Sequence, residues 1–233
     1  MTANEVLKTQ TDIHKPTIIS LEGNIGSGKS TLLSYLENHF KGNAIIFLKE
    51  PVEDWETIRD ENGVTMLEKF YKDQEKYSFP FQMMAYISRL VALKEAVEKN
   101  PAIIITERSL YTDRMVFAKM LYDAGKIEFI NYRIYLKWFD SFAKEFPVHK
   151  VIYVKASPSI CHFRIKMRSR IGESVIPLDY LESCNTYHEE MLDKKAPDCV
   201  CHNQLILDGS LDIHEKKDVV KTWISQIEEF MKS

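Results

Sequence analysis

Long apolar runs are missing from this sequence of 233 residues. None approaches the roughly 20 residues needed to cross a bilayer, so no membrane-spanning helix is expected. Cysteine is scarce, four in all. Cys199, Cys201 and His202 stand together, but C-x-C spacing without a C-x-x-C partner leaves a zinc site incomplete. A basic excess is also lacking: the formal net charge of -3 gives no footprint for nucleic acid or an anionic membrane, and small neutral or anionic substrates fit better. The first fifteen residues carry Glu5, Lys8, Asp12 and Lys15 but no arginine, unlike a secretory signal or a mitochondrial transit peptide. With no repeat, low-complexity tract or linker, the expectation is a flexible arm over 1–16 and one α/β domain over 17–233. The cytoplasm is the expected compartment.

What is present begins with Gly23-Asn24-Ile25-Gly26-Ser27-Gly28-Lys29-Ser30-Thr31, between the apolar run Ile18 to Leu21 and a helical pattern. Glycines let the backbone turn its N–H groups around a polyphosphate. Lys29 reaches the outer phosphates, and the Ser30 hydroxyl is placed to ligand Mg²⁺. ATP or GTP is the implied ligand. The guanine-reading Asn-Lys-x-Asp sequence is absent, which argues against a GTPase switch.

Further apolar runs recur at Ala44 to Leu48, Ala102 to Ile105, Val151 to Val154 and Leu205 to Leu207. Separated by helix-length segments, they predict a five-stranded parallel sheet with helices on both faces and ligands at its carboxyl edge. A helix is expected from near Lys29, a long one over Tyr77 to Asn100, and another opened by Ser157-Pro158. Two strand runs end in acids, Glu50 and Glu107. A carboxylate at the tip of a buried strand is costly unless a metal, a cation or a substrate hydroxyl meets it. The bland reading of each is a cap or a surface ion pair. Arg164, Arg168 and Arg170 form a cationic cluster, either a solvated helix face or a lid that closes over phosphates.

These features, with Glu50-Pro51-Val52, Trp55, Tyr77-Ser78-Phe79-Pro80-Phe81-Gln82, Glu107-Arg108-Ser109, Tyr111, Asp113-Arg114 and Ile176-Pro177-Leu178, resemble the deoxynucleoside kinase family from Thr17 onward. The resemblance implies a P-loop kinase fold and ATP-dependent phosphorylation of a deoxynucleoside 5′-hydroxyl. In that pattern Glu50 is the general base, and Arg108 holds the hydroxyl and the incoming phosphate. Ser30 and Glu107 position Mg²⁺, while Lys29 and the lid arginines stabilise the transferring group. Tyr71 and Glu173 hold the sugar 3′-hydroxyl.

Phe81 and Phe117 match the residues around the base, with Ile25, Val52, Trp55, Leu67 and Phe70 as apolar walls. Gln82, Ala85 and Arg89 share one helix face, and Asp113 matches the position that pairs with Arg89. That pair suits adenine, guanine or cytosine. Relatives favouring thymidine carry apolar residues at these places. The segment Phe129 to Phe146 is apolar around much of its circumference, and family members are homodimers built through this region, so a homodimer is expected. Two other readings compete: a monophosphate kinase resembling thymidylate kinase, and a non-catalytic accessory subunit like that of respiratory complex I.

Overall fold

A computed structural model describes residues 15–168, 176–213 and 216–233. In chain order the elements begin with β1 Thr17–Glu22, α1 Lys29–His39, β2 Ile45–Leu48, α2 Val52–Thr57, α3 Met66–Lys72 and α4 Gln74–Glu98. Next come β3 Ile103–Glu107, α5 Leu110–Thr112, a π-helical turn Asp113–Ala118, α6 Lys119–Asp123 and α7 Phe129–Phe142. The remainder is β4 Lys150–Lys155, α8 Pro158–Arg168, α9 Leu178–Leu192, β5 Gln204–Asp208 and α10 Lys217–Lys232.

The five strands form one sheet in the order β2-β3-β1-β4-β5, and every pairing is parallel. Alternate residues of a strand face opposite sides, and β1 divides its apolar residues accordingly. Ile19 and Leu21 pack with Leu32, Leu33 and Leu36 of α1 and with Val220, Trp223 and Ile227 of α10. Ile18 joins Tyr86, Leu90 and Leu93 of α4 and Tyr135 and Phe139 of α7. The chain leaves β1 toward the first face and β3 toward the second. A crevice therefore opens between their carboxyl ends, where an open α/β sheet binds its ligands.

The long helix starts at Gln74, three residues before the expected Tyr77, and carries Pro80 inside it. The reason is a cap not recognised in the sequence: the Asp73 side chain accepts from the Lys76 N–H at 3.2 Å. Helix α8 opens at Pro158 as expected, with Ser157 Oγ accepting from the Ile160 N–H at 3.4 Å.

Gly26 and Gly63 have nearly the same left-handed backbone, φ +80° and +79°. A Cβ on Gly63 meets nothing within 4 Å, whereas one on Gly26 comes 2.7 Å from the Cys161 carbonyl oxygen of α8. Gly63→Ala should cost only the backbone term, about 1–2 kcal/mol. Gly26→Ala should lose a further amount of about 1–3 kcal/mol, because backbone must move. Urea denaturation of both variants checks this, and equal losses would mean that the phosphate loop is not held against α8.

Candidate active site

The loop after β1 is built for an anion. Helix α1 begins at Lys29 behind Gly28 in a left-handed conformation, and no side chain among the described residues caps it. Its first N–H groups thus face the crevice. The loop is held from beneath: Lys29 Nζ donates to the Asn24 carbonyl at 2.7 Å, and Asn24 Nδ2 donates to the Leu181 carbonyl of α9 at 2.8 Å. Burial, together with the Arg108 charge, pulls the Lys29 ammonium down to about 8. A phosphate beside it would raise that value again by favouring the charged form.

Glu107 ends β3, and its Oε1 accepts from Ser30 Oγ at 2.6 Å. A hydroxyl and a carboxylate at the floor of an anion site fit Mg²⁺, which takes few protein oxygens and completes its shell with water and phosphate. Among the described residues no cluster of three or more His, Cys, Asp and Glu side chains could hold a metal.

Arg108 follows with φ +64°, one of two non-glycine residues of positive φ among the described residues. The left-handed turn drives its side chain under the phosphate loop, where it is 2% exposed. Nε donates to Glu50 Oε1 at 3.1 Å and Nη1 to the Gly23 carbonyl at 3.0 Å, while the guanidinium lies over the Phe117 ring at 4.8 Å. Arg89, equally buried, donates through Nε to Asp113 Oδ2 at 2.9 Å and through Nη1 to the Glu107 carbonyl at 2.5 Å. Its Nη2 reaches Glu50 Oε1 at 3.4 Å. Burial opposes the Arg89 charge, but Asp113 and Glu50 more than offset it and raise its pKa.

Two cavities meet here. The larger, about 580 Å³, is lined by Ile25 to Thr31, Glu50, Glu107, Arg108, Arg164, Arg168, their neighbours Phe163 and Met167 on α8 and, from segments not foreseen, Leu211 to Ile213 and Trp223. The second is lined by Ile25, Glu50, Val52, Trp55, Leu67, Phe70, Tyr71, Phe81, Gln82, Ala85, Arg108, Asp113, Phe117 and Tyr180. Ile25, Glu50 and Arg108 line both. Within the second cavity Phe70 stacks on Phe81 at 4.6 Å between centroids, and buried Gln82 Oε1 has no hydrogen-bond partner among the described residues.

Two expectations need correcting. Arg89 does not line the second cavity; Asp113 does, and Arg89 braces it from behind while reaching Glu50. Arg164 directs its guanidinium at carbonyls, Nη1 to Gly209 at 2.7 Å and Ser27 at 3.3 Å, and Nη2 to Leu211 at 3.1 Å. Those carbonyls engage both terminal nitrogens and make Arg164 a staple of the loop, while it still lines the larger cavity. Arg168, one turn on, lines the larger cavity. Arg170 and Glu173 lie outside the described residues.

The site also holds residues that sequence reasoning missed. Glu22 Oε1 accepts from Thr112 Oγ1 at 2.6 Å under the loop, and Tyr180 meets Tyr71 edge-on at 6.3 Å. His188 is fully buried against Arg108. The available signal for His188 was the apolar stripe Leu181, Cys184 and Met191 of α9, on which it falls.

The deoxynucleoside kinase family model matches residues 19–232. The chain belongs to the deoxynucleoside kinase family. Its relatives include a probable deoxycytidine kinase of Fowlpox virus, 36% identical over 76% of this chain and 72% of that protein. Human deoxycytidine kinase is 31% identical over 91% of this chain and 90% of its own length. Human mitochondrial thymidine kinase 2 is 31% identical over 77% of this chain and 66% of its own. Membership makes this deoxynucleoside kinase family member a transferase that phosphorylates nucleosides, the activity that the sequence resemblance implied.

Removing Arg89 alone strands the buried Asp113 carboxylate, whereas Glu50 keeps Arg108. Arg89→Met should therefore lose about 3–5 kcal/mol of stability, and adding Asp113→Ala should recover most of it. Denaturant titration of both single variants and the double variant measures the coupling. Losses that simply add would dissolve the pair as an energetic unit.

Proposed function

We propose that this kinase transfers the γ-phosphoryl group of ATP to the 5′-hydroxyl of a deoxynucleoside, with Glu50 as general base and purine deoxynucleosides and deoxycytidine preferred over thymidine. The observation that carries the reading is the shared wall: Glu50 and Arg108 border both cavities, where an acceptor hydroxyl and a donor phosphate would meet. The larger cavity takes the triphosphate, with the loop Gly23 to Thr31 around it. The second takes the nucleoside, its base among Phe81, Phe117 and Trp55. Tyr71 stands at the sugar, where a 2′-hydroxyl would crowd it.

Glu50 accepts the proton of the 5′-hydroxyl as that oxygen attacks phosphorus, and Arg108 holds the oxygen in line. Lys29 and Arg168 balance the charge on the phosphoryl group. Mg²⁺, held by Ser30 and Glu107, supplies further neutralisation of the phosphates when bound. Gln82 and Asp113 face the base, offering an amide and a carboxylate that suit the exocyclic amino group of adenine or cytosine and the polar edge of guanine. Ala85 leaves room for a purine. The 5-methyl group of thymine would lie against charge. Similarity alone does not rank these bases, because the relatives include kinases named for deoxycytidine and for thymidine.

Glu50→Gln should lose stability, because two buried guanidiniums lose their shared carboxylate, and the folded variant should still bind ATP while kcat falls about 10²-fold or more. A panel of four deoxynucleosides with ATP reads kcat for this variant and base preference for the wild type. Near-normal turnover of the variant would remove Glu50 from the mechanism, and thymidine as the best substrate would overturn the base assignment.

A homodimer completes the reading. Helix α7 leaves Phe129, Ile130, Ile134 and Trp138 exposed, and Ile87 and Val91 of α4 are exposed as well. The two helices pack together, with Tyr86 Oη donating to the Trp138 carbonyl at 3.2 Å. Apolar surface of this kind needs covering. Sedimentation velocity at micromolar concentration should show a dimer for wild type and a monomer for Trp138→Glu. A monomeric wild type would refute the dimer without touching the chemistry.

A further inference from the structure

We propose that His188 is the positioning residue of Arg108, fixing the rotation of its guanidinium beneath the phosphate loop. His188 Nδ1 lies 2.7 Å from the Cys184 carbonyl oxygen one helical turn back on α9. A carbonyl only accepts, so Nδ1 carries the proton and Nε2 of the neutral ring is left as an acceptor. Arg108 Nη1 stands 3.3 Å from that Nε2. Burial, with the Arg108 charge beside it, holds the imidazole well below its ordinary range, so the ring is neutral at pH 7.

The donors of Arg108 are then distributed by direction. Nε serves Glu50, and Nη1 serves the Gly23 carbonyl and His188. Among the described residues Nη2 has no hydrogen-bond partner, while Arg108 itself lines both cavities. With Nε and Nη1 occupied, Nη2 is the nitrogen left to meet the acceptor hydroxyl or the incoming phosphate. Phe117 holds the flat face of the guanidinium, and the His188 ring stands edge-on to Phe117 at 6.3 Å. Stacking on Phe117 leaves rotation within the plane free, and at Nη1 the Gly23 carbonyl at 3.0 Å and His188 Nε2 at 3.3 Å limit it together.

The same helix carries two more contacts to the site: the Leu181 carbonyl on Asn24 and Tyr180 against Tyr71. Through His188, α9 therefore ties the residue at the junction of the two cavities to the frame that holds both.

This inference rests on the assignment of Arg108 to the reaction, and two amides and a lysine test the parts separately. In His188→Gln the side-chain oxygen can replace Nε2 and accept from Arg108. In His188→Asn the shorter amide can still donate to the Cys184 carbonyl but cannot reach Arg108. Both place an amide at one buried position, so general loss of packing affects them alike. The expected result is kcat within about threefold of wild type for His188→Gln and a loss of about 10- to 100-fold for His188→Asn, the scale of a misplaced reacting group. The KM for the nucleoside should change less than kcat in His188→Asn.

In an Arg108→Lys background, His188→Asn should add little further loss, because the residue through which it acts is already changed. Equal kcat for the two amides, or a full additional loss in the lysine background, would overturn the assignment of His188. If Arg108→Lys alone retains wild-type kcat, the role of Arg108 falls first, and with it the proposed chemistry. Should the Asn variant not fold, His188→Leu, matched in volume and lacking the acceptor, takes its place in the same comparison with His188→Gln.

Discussion

Everything at the carboxyl edge of the sheet depends on one buried electrostatic arrangement, the alternation Arg108, Glu50, Arg89, Asp113. Each guanidinium is 2% exposed, and Glu50 bridges them at 3.1 and 3.4 Å. Buried charges are tolerated only when paired and hydrogen-bonded. The arrangement meets that condition by drawing on distant parts of the chain: α4 for Arg89, the ends of two strand connections for Glu50 and Arg108, and the π-helical turn for Asp113. A π-helical turn is widened by one residue, and such turns recur at functional sites. Here it brings Asp113 and Phe117 to the lining of the second cavity.

The parts of this fold legible in the sequence were those governed by local chemistry. Five apolar runs became five strands, each close to its expected bounds, because β-branched residues flanked by turns leave little choice. Gly23 to Ser30 read as a phosphate loop, and a guanidinium on an otherwise apolar face asked for a partner, which the family resemblance, not local chemistry, named as Asp113. What stayed hidden was set by contacts across long separations. Arg164 on the helix surface read as a phosphate ligand, yet carbonyls from 27 and 209 to 211 claim it. His188 drew no reading from the sequence, since nothing in its neighbourhood shows that Arg108, far earlier in the chain, will lie beside it. The walls of the larger cavity drew on Leu211 to Ile213 and Trp223, which carry no motif.

The two cavities have different materials for different tasks. On the proposed reading, the groups around the triphosphate cavity are backbone N–H, Lys29 and arginines, which recognise charge and tolerate variety in what carries it. The nucleoside side is aromatic and aliphatic with two polar side chains, Gln82 and Asp113, facing inward. Shape excludes there, and a few fixed donors and acceptors choose. Asp113 belongs to both the charge alternation and the lining of the second cavity, so the group proposed to read the base would also carry part of the stability of the floor beneath it.

The carbonyl contacts of Arg164 give the larger cavity a mechanical linkage. One guanidinium ties Ser27 of the phosphate loop to Gly209, Ser210 and Leu211 of the opposite wall. The phosphate-loop end and the chain after β5 are thus held at one spacing by a single side chain, so a change of residue at 164 would release both at once.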